Sequence, residues 1–120
     1  MTPAIIVNCT QDRAEPERAT LSFVVGNVAA TADQAAVVLL TIDGVWLATK
    51  GYGDEIAHPG MPPLREVLAS FVAAGGEIWA CGACTGPRGI TADDLVEGAH
   101  IVTAAMVVEA MVGGAKTLSF

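Results

Sequence analysis

The sequence has little positive charge and no long apolar run. Its 120 residues include only 6 lysines and arginines against 13 aspartates and glutamates, a formal net charge of −7. Binding to a phosphate backbone draws its free energy from cationic side chains, so this balance excludes nucleic acid as the partner. No apolar stretch approaches the roughly 20 residues that cross a bilayer, and the first residues carry no basic segment of a signal peptide. We therefore expect a cytoplasmic protein with no membrane partner.

Several well-known site motifs are also missing. The chain has no GxSxG, P-loop or GxGxxG pattern, and its segment 82–86 is too short and lacks the lysine needed to hold phosphates. Cys81 and Cys84 form a CxxC, but a second ligand pair is absent, and His58 and His100 are predicted in a loop and a strand. We expect no metal and no cofactor.

Composition indicates one domain that associates with itself. A second core within 120 residues would leave each half too little apolar surface to bury. Hydrophobic residues make up 52% of the chain and charged residues 16%, which predicts apolar surface left over after one core is filled. The three cysteines cannot all pair within the chain, and free thiols are expected in a reducing compartment.

Short apolar runs predict buried strands, separated by segments of helical periodicity. The predicted strands are 4–7, 36–41, 77–81, 100–102 and 116–120. A first helix follows Pro16, with a predicted buried face made of Leu21, Val24, Val25, Val28, Ala29 and Ala32. A second follows Pro63, with a predicted buried face made of Leu64, Val67, Leu68, Phe71 and Val72.

The last predicted helix, 104–112, is apolar nearly all round, which indicates burial on two sides. Asp43-Gly44 is expected to start a short helix through Ala48, and Thr91 with Asp94 resembles a capping box. Segment 50–63, with its glycines and prolines, predicts a mobile loop and is the best candidate for a lid.

Alternating strands and helices require right-handed crossovers and predict a three-layer α/β/α domain with a mostly parallel sheet of about five strands. Ligands and reactive groups in such sheets gather at the carboxyl ends of the strands. Cys9 and Cys81 are both predicted there. Cys9 has no attached glycine loop, so we interpret it as structural.

Cys81 is the strongest candidate for chemistry because a glycine-rich segment follows it. Backbone amides of that segment can turn toward the Cys81 sulfur, and the candidate amide residues are Gly82, Ala83, Gly86 and Gly89. The three glycines and Pro87 predict that the segment is irregular. Arg88 offers a permanent cation, which favours a thiolate. Asp43, Asp93 and Asp94 are interpreted as helix caps without a catalytic role.

Two alternatives remain open at this stage. Cys81 is also compatible with a small buried side chain at a strand end, in a binding protein that holds a small ligand under the 50–63 loop. Cys84 is a candidate second thiol, and the CxxC pattern occurs in thiol–disulfide redox proteins. Redox chemistry of the thioredoxin kind, however, needs the motif at the N-terminus of a helix, and no helical pattern follows Cys81.

From Cys81 to Ile90 the sequence resembles the DsrE/DsrF-like family of sulfur-relay proteins. The resemblance rests on a cysteine at the end of the third strand, a loop of small residues, and Arg88-Gly89 followed by an apolar residue. Asp43-Gly44-Val45 and Glu97-Gly98-Ala99 also match the family's pattern, so the likeness covers essentially the whole chain.

The resemblance implies a DsrEFH-like fold and a sulfur carrier. Cys81 would accept sulfane sulfur as a persulfide and pass it to an acceptor protein, with Arg88 near the loaded sulfur. The resemblance also implies a homo-oligomer, a trimer or hexamer, served by separate sulfur donor and acceptor proteins.

Overall fold

A parallel sheet of five strands forms the centre of the computed structural model, which describes residues 2–120. The strands, β1 to β5 in chain order, span Ile5–Cys9, Ala36–Leu40, Glu77–Cys81, Ala99–Val102 and Lys116–Ser119. They lie side by side in the order β4-β3-β2-β1-β5, and every neighbouring pair is parallel. The predicted α/β fold with a five-stranded parallel sheet is confirmed.

The helices cover the two faces of the sheet unequally. The α-helices, α1 to α4 in chain order, span Pro16–Thr31, Leu64–Ala73, Gly82–Thr85 and Ala104–Val112. Helices α1 and α2 join strands that follow one another in the same direction, so right-handed crossovers place both on one face. They meet through Phe23 and Phe71, whose rings are 6.0 Å apart edge to face. Helix α4 returns the chain across the sheet, and its Ala110 packs on the other face beside Trp79.

The buried face predicted for α1 is wrong. The buried residues are Ala19, Thr20, Ser22, Phe23, Gly26 and Ala30, whereas Val28 of the predicted face is 64% exposed. Gly26 explains the rotation of the helix, because a Cβ atom there would lie 2.8 Å from Val38 Cγ2 of β2. The glycine allows close helix–sheet contact, and that contact outweighs the periodicity of the neighbouring valines. For α2 the predicted face is the one that packs on the core: Leu64, Val67 and Phe71 are buried, and Leu68 and Val72 are partly buried.

Helix α4 is not buried on two sides as its composition predicted. Within the helix only Ala110 is buried, while Val108 is 57% exposed and Val112 84% exposed. Both long helices that precede it lie on the opposite face, so no other helix of residues 2–120 covers its outer side. The helix therefore presents an apolar surface.

The segments between the strands differ from the predictions in one place. Residues 82–89, predicted to be irregular, form the short helix α3 and a 3₁₀ turn, Gly86–Arg88. One tight turn needs few residues, and Pro87 suits the second position of the 3₁₀ turn because its fixed φ is already helical. The predicted short helix after β2 is present as a 3₁₀ helix, Ile42–Ala48. Segment 50–63 consists of turns and coil, as predicted.

Segment 50–63 is held by several contacts. Ile56 is buried, and its carbonyl accepts the amide N–H of Leu64 at 3.0 Å. The Tyr52 ring stacks on Trp46 with centroids 6.0 Å apart, and its hydroxyl accepts the Arg13 amide N–H at 3.3 Å. The mobility of this segment stays a prediction. Across residues 2–120, no helix has the length and apolar character needed to cross a membrane.

Candidate functional site

The candidate site lies where β2 and β3 end. Cys81 is the last residue of β3 and also the N-cap residue of α3, and its side chain is partly exposed. The neighbouring strand β2 ends at Leu40 and leads into the Ile42–Ala48 turn, which contacts α3. Because parallel strands end at the same edge, the residues after Leu40 and those after Cys81 are brought together.

Cys84 is the cysteine that receives a backbone hydrogen bond. Its Sγ accepts the amide N–H of Ile42 at 3.1 Å. Ile42 has φ 55°, in the left-handed region, and its side chain is 52% exposed. A β-branched residue rarely adopts this conformation, which costs about 1–3 kcal/mol and persists only where surrounding contacts impose it. The strained backbone is thus located at the contact with the CxxC motif.

Arg88 connects the two sides of the site. Its Nη2 donates to Asp43 Oδ1 at 2.8 Å, and its Nη1 donates to the carbonyl oxygen of Cys84 at 3.0 Å. The Asp43 side chain makes no helix-capping hydrogen bond, so its interpretation as a cap is wrong, because the carboxylate has a cationic partner instead. Asp94 does cap: its carboxylate accepts the Thr91 amide N–H at 2.8 Å.

Gly44 allows the turn to lie against the end of β1. A Cβ atom at this position would be 2.2 Å from the carbonyl oxygen of Cys9, which is backbone and cannot move aside. Only glycine permits such an approach. The close contact positions the preceding residues, Ile42 and Asp43, beside α3.

The predicted ring of amides around Cys81 is not what the structure shows. Within residues 2–120, Cys81 Sγ takes part in no hydrogen bond, and the recorded contacts of the Arg88 guanidinium are with Asp43 and Cys84. Of the predicted amide residues, Gly82 and Ala83 belong to α3, and the Gly89 N–H donates to the Gly86 carbonyl at 3.1 Å. The turn uses the N–H groups of Gly86 and Gly89 locally, whereas those of Gly82 and Ala83 lie in the first turn of α3, where a helix supplies no acceptor. The Cys81 sulfur is left without a fixed partner.

Cys9 is separated from this site by packing. The residue is completely buried, and its Sγ donates to the carbonyl of Gln11 at 3.6 Å. Burial raises the pKa of the Cys9 thiol, although the contacts with Gln11 and Ser22 act in the opposite direction. A buried, protonated thiol agrees with its interpretation as a structural residue.

Two cavities open near the same edge. One of about 390 Å³ lies beside Arg88 and Gly89 and is also lined by Trp46, Lys50 and Asp93. The other, of about 480 Å³, lies against segment 50–63 and is lined by Arg13, Tyr52, Asp54, Glu55 and Ile56, among others. The Arg13 guanidinium lies 4.0 Å from the centroid of the Tyr52 ring, a cation–π contact.

The described part of the chain contains no group of three or more His, Cys, Asp or Glu side chains that could hold a metal ion. The two histidines instead lie beside glutamates. His58 Nε2 is 3.3 Å from Glu17 Oε2, and His100 Nε2 is 3.9 Å from Glu77 Oε1.

Comparison with known proteins identifies the family. The sequence profile of the DsrE/DsrF-like family matches residues 4–120. The chain belongs to this family. It is 31% identical over 99 residues to the uncharacterised protein MJ0760 of Methanocaldococcus jannaschii, covering 82% of this chain and 36% of that protein. It is 36% identical over 67 residues to the uncharacterised protein MK0008 of Methanopyrus kandleri, covering 55% of this chain and 51% of that protein.

Two solved structures share the fold of this DsrE/DsrF-like chain. The YchN protein of E. coli superposes with a TM-score of 0.80 at 20% identity, covering 98% of this chain and 99% of the other. MTH1491 of Methanobacterium thermoautotrophicum, a protein of unknown function, superposes with a TM-score of 0.66 at 16% identity, covering 97% and 96%. By contrast, the chain spans only about a third to a half of the two sequence relatives it matches.

Two residues of the site were not identified from the sequence. Ile42 has no sequence signal, because its role depends on a backbone amide that tertiary structure directs at Cys84. Asp43 did have a signal, since Asp43-Gly44-Val45 matches the family pattern, but its position at a predicted helix start favoured capping.

Proposed function

We propose that this DsrE/DsrF-like protein is a sulfur carrier that accepts sulfane sulfur on Cys81 as a persulfide. The observation that carries the proposal is a partly exposed cysteine at the carboxyl end of a central strand, in a chain that belongs to this family. Its sulfur has no hydrogen-bond partner within residues 2–120, so no such contact has to break before it reacts. Cys9, completely buried, offers no comparable access.

The transfer needs no outside oxidant or reductant. The Cys81 thiolate attacks the outer sulfur of a donor persulfide, a bond from Cys81 Sγ to that sulfur forms, and the donor's sulfur–sulfur bond breaks. The donor leaves as a thiolate with the electron pair. An acceptor thiolate then attacks the outer sulfur of the Cys81 persulfide in the same way, and Cys81 leaves as a thiolate.

Arg88 supports both transfers in this proposal. A guanidinium has five N–H donors, and two are used in the recorded bonds to Asp43 and Cys84. The remaining donors are proposed to bind an anionic donor or leaving group. Arg88 also lines the cavity of about 390 Å³, which Cys81 does not line. The amides of Gly82 and Ala83 are proposed to assist once the sulfur on Cys81 is negatively charged.

Mass spectrometry of two serine variants tests this proposal. The Cys84→Ser protein is treated with an alkanethiosulfonate anion and, separately, with an organic persulfide, and we expect the mass of one sulfur atom to be gained on Cys81. The matched Cys81→Ser protein, which keeps Cys84, should gain nothing at residue 81. Absence of any gain on Cys81 in Cys84→Ser with both donors would refute the sulfur carrier.

A second candidate function is the binding of a small ligand in the cavity of about 480 Å³ against segment 50–63. This cavity combines the Tyr52 ring, which contacts Trp46 and Arg13, with the charged side chains of Asp54 and Glu55, the mixture of apolar and polar groups that small-molecule sites use. A ligand at this cavity would shift the NMR signals of Tyr52 equally in wild type and Cys81→Ser, whereas sulfur transfer depends on Cys81.

We further propose that the protein is a cytoplasmic homo-oligomer, a trimer or hexamer, that works with separate sulfur donor and acceptor proteins. The exposed apolar side chains of α4 support self-association, since monomers rarely leave such a surface uncovered. Three free cysteines are in keeping with a reducing compartment.

A further inference from the structure

Cys81 and Cys84 occupy positions that allow a disulfide. Cys81 is the N-cap of α3, and Cys84 lies three residues later in the same turn. Cys81 has the extended backbone of an N-cap, whose side chain lies over the first helical turn within reach of the third helical residue, here Cys84. A Cys-x-x-Cys pair at a helix start is also the arrangement that thiol–disulfide redox proteins use. We infer that side-chain rotations bring the two sulfurs into bonding distance.

The two cysteines differ in how firmly they are held. Cys84 is restrained at its Sγ by the Ile42 amide and at its carbonyl by Arg88. Arg88 is in turn oriented by Asp43. Both restraints on Cys84 therefore depend on residues of the Ile42–Ala48 turn. Cys81 Sγ has no hydrogen bond of this kind within residues 2–120. The Cys84 thiol is thus positioned by its contacts, whereas the Cys81 thiol is available to accept sulfur.

Resting on the carrier function proposed above, we propose that Cys84 is the resolving thiol that releases the sulfur from Cys81 as hydrosulfide. The strained Ile42 amide and the Arg88–Asp43 pair are its positioning groups. The protein would then deliver sulfide, and a thiol reductant would convert the Cys81–Cys84 disulfide back to two thiols.

The step balances as a thiol–disulfide exchange. The Cys84 thiolate attacks Cys81 Sγ, a bond between the two Sγ atoms forms, and the bond from Cys81 Sγ to the outer sulfur breaks. The outer sulfur leaves with the electron pair and takes up a proton as hydrosulfide. The sulfane sulfur is reduced, and the two cysteines are oxidised to the disulfide. A low-molecular-weight or protein dithiol supplies the two electrons that restore both thiols.

The experiment compares wild type, Cys84→Ser and Cys81→Ser with an alkanethiosulfonate anion, whose sulfane sulfur leaves sulfinate behind. Without added reductant, wild type should release one sulfide per chain and lose the mass of two hydrogen atoms, with the disulfide located between Cys81 and Cys84. Cys84→Ser should keep its added sulfur and release no sulfide. Cys81→Ser should show neither change.

The outcomes separate the two proposals. If wild type retains the added sulfur as stably as Cys84→Ser and forms no disulfide, the resolving role of Cys84 is wrong while the carrier proposal stands. If Cys84→Ser takes up no sulfur with either donor, the carrier proposal itself fails.

Asp43→Asn tests the positioning of Cys84. It removes the charge that orients Arg88 and keeps both cysteines. We expect sulfide release to slow several-fold more than the loading of Cys81, measured in an Asp43→Asn and Cys84→Ser double variant against Cys84→Ser, because Arg88 acts in both steps but holds only Cys84 directly. Equal slowing of both steps would contradict a role specific to Cys84.

Discussion

At the scale of single residues, the three cysteines differ in exposure and contacts. Cys9 is completely buried and its pKa is raised by burial, whereas Cys81 and Cys84 are partly exposed. A thiol reacts as the thiolate and only where the reagent can reach it. Packing alone therefore separates one inert cysteine from two that are accessible.

Alkylation of the native protein should follow this division. With iodoacetamide at neutral pH, we expect Cys81 and Cys84 to be modified and Cys9 to remain unmodified until denaturant is added. Peptide mass spectrometry at increasing reaction times checks this. Modification of Cys9 at the rate of the other two in the native protein would show that the core around it opens readily.

The raised pKa of Cys9 also predicts a dependence of stability on pH. The unfolded chain releases the Cys9 proton at a lower pH than the folded chain does. The contribution of this thiol to the free energy of unfolding is therefore fully present below its unfolded pKa, about 8.5, and is lost as the pH rises through the folded pKa. Above about pH 8.5, the unfolding free energy of wild type should fall relative to Cys9→Ala, by up to about 1.4 kcal/mol per pH unit. Urea unfolding at several pH values measures the difference, and a difference that does not change between pH 7 and 10 would contradict the burial effect.

At the scale of elements, the Ile42–Ala48 turn is the part that organises the candidate site. It supplies the amide that contacts Cys84, the carboxylate that contacts Arg88, and the glycine that lies on the end of β1. The ion pair between Asp43 and Arg88 is partly exposed and contributes little to stability, about 0–1 kcal/mol. The ion pair therefore serves to orient the Arg88 guanidinium rather than to stabilise the fold.

Gly44→Ala should therefore be more damaging than loss of the ion pair. The new methyl group would overlap the Cys9 carbonyl and push the turn away, which we expect to cost about 1–3 kcal/mol of unfolding free energy. Asp43→Asn, which leaves the backbone unchanged, is the control and should cost under about 1 kcal/mol. Chemical denaturation of the two variants measures both values. Equal unfolding free energies would show that a methyl group fits between residue 44 and the Cys9 carbonyl.

At the scale of the whole molecule, α4 leaves the two faces of the sheet unequally covered. Two long helices pack on one face and bury Phe23 and Phe71, whereas α4 is the one helix of residues 2–120 whose residues pack on the other, and it exposes Val108 and Met111. An apolar helix surface of this kind is typical of an interface between subunits. The surface thus supports the proposed homo-oligomer.

Two lysine substitutions test whether α4 forms that interface. Val108 on α4 and Val28 on α1 are similarly exposed, 57% and 64%, so lysine at either position should leave the subunit folded. Burying an unpaired charge in an interface is costly, so Val108→Lys should lower the oligomer mass while Val28→Lys keeps it. Light scattering after size-exclusion chromatography gives the masses. A monomeric wild type, or an assembly unaffected by Val108→Lys, would contradict the proposal.

The sequence by itself determined the class of fold, the sheet and the position of Cys81. Apolar runs and helical periods are local signals, and alternating strands with right-handed crossovers leave few other arrangements. Only the tertiary structure decided which side of α1 is buried, how far α4 is covered, and that Asp43 meets Arg88 while Ile42 meets Cys84. Those contacts join residues more than forty positions apart in the chain, and no local pattern specifies them. They depend on how closely one backbone approaches another, which Gly26 and Gly44 permit and which becomes defined only when the sheet has brought its strand ends together.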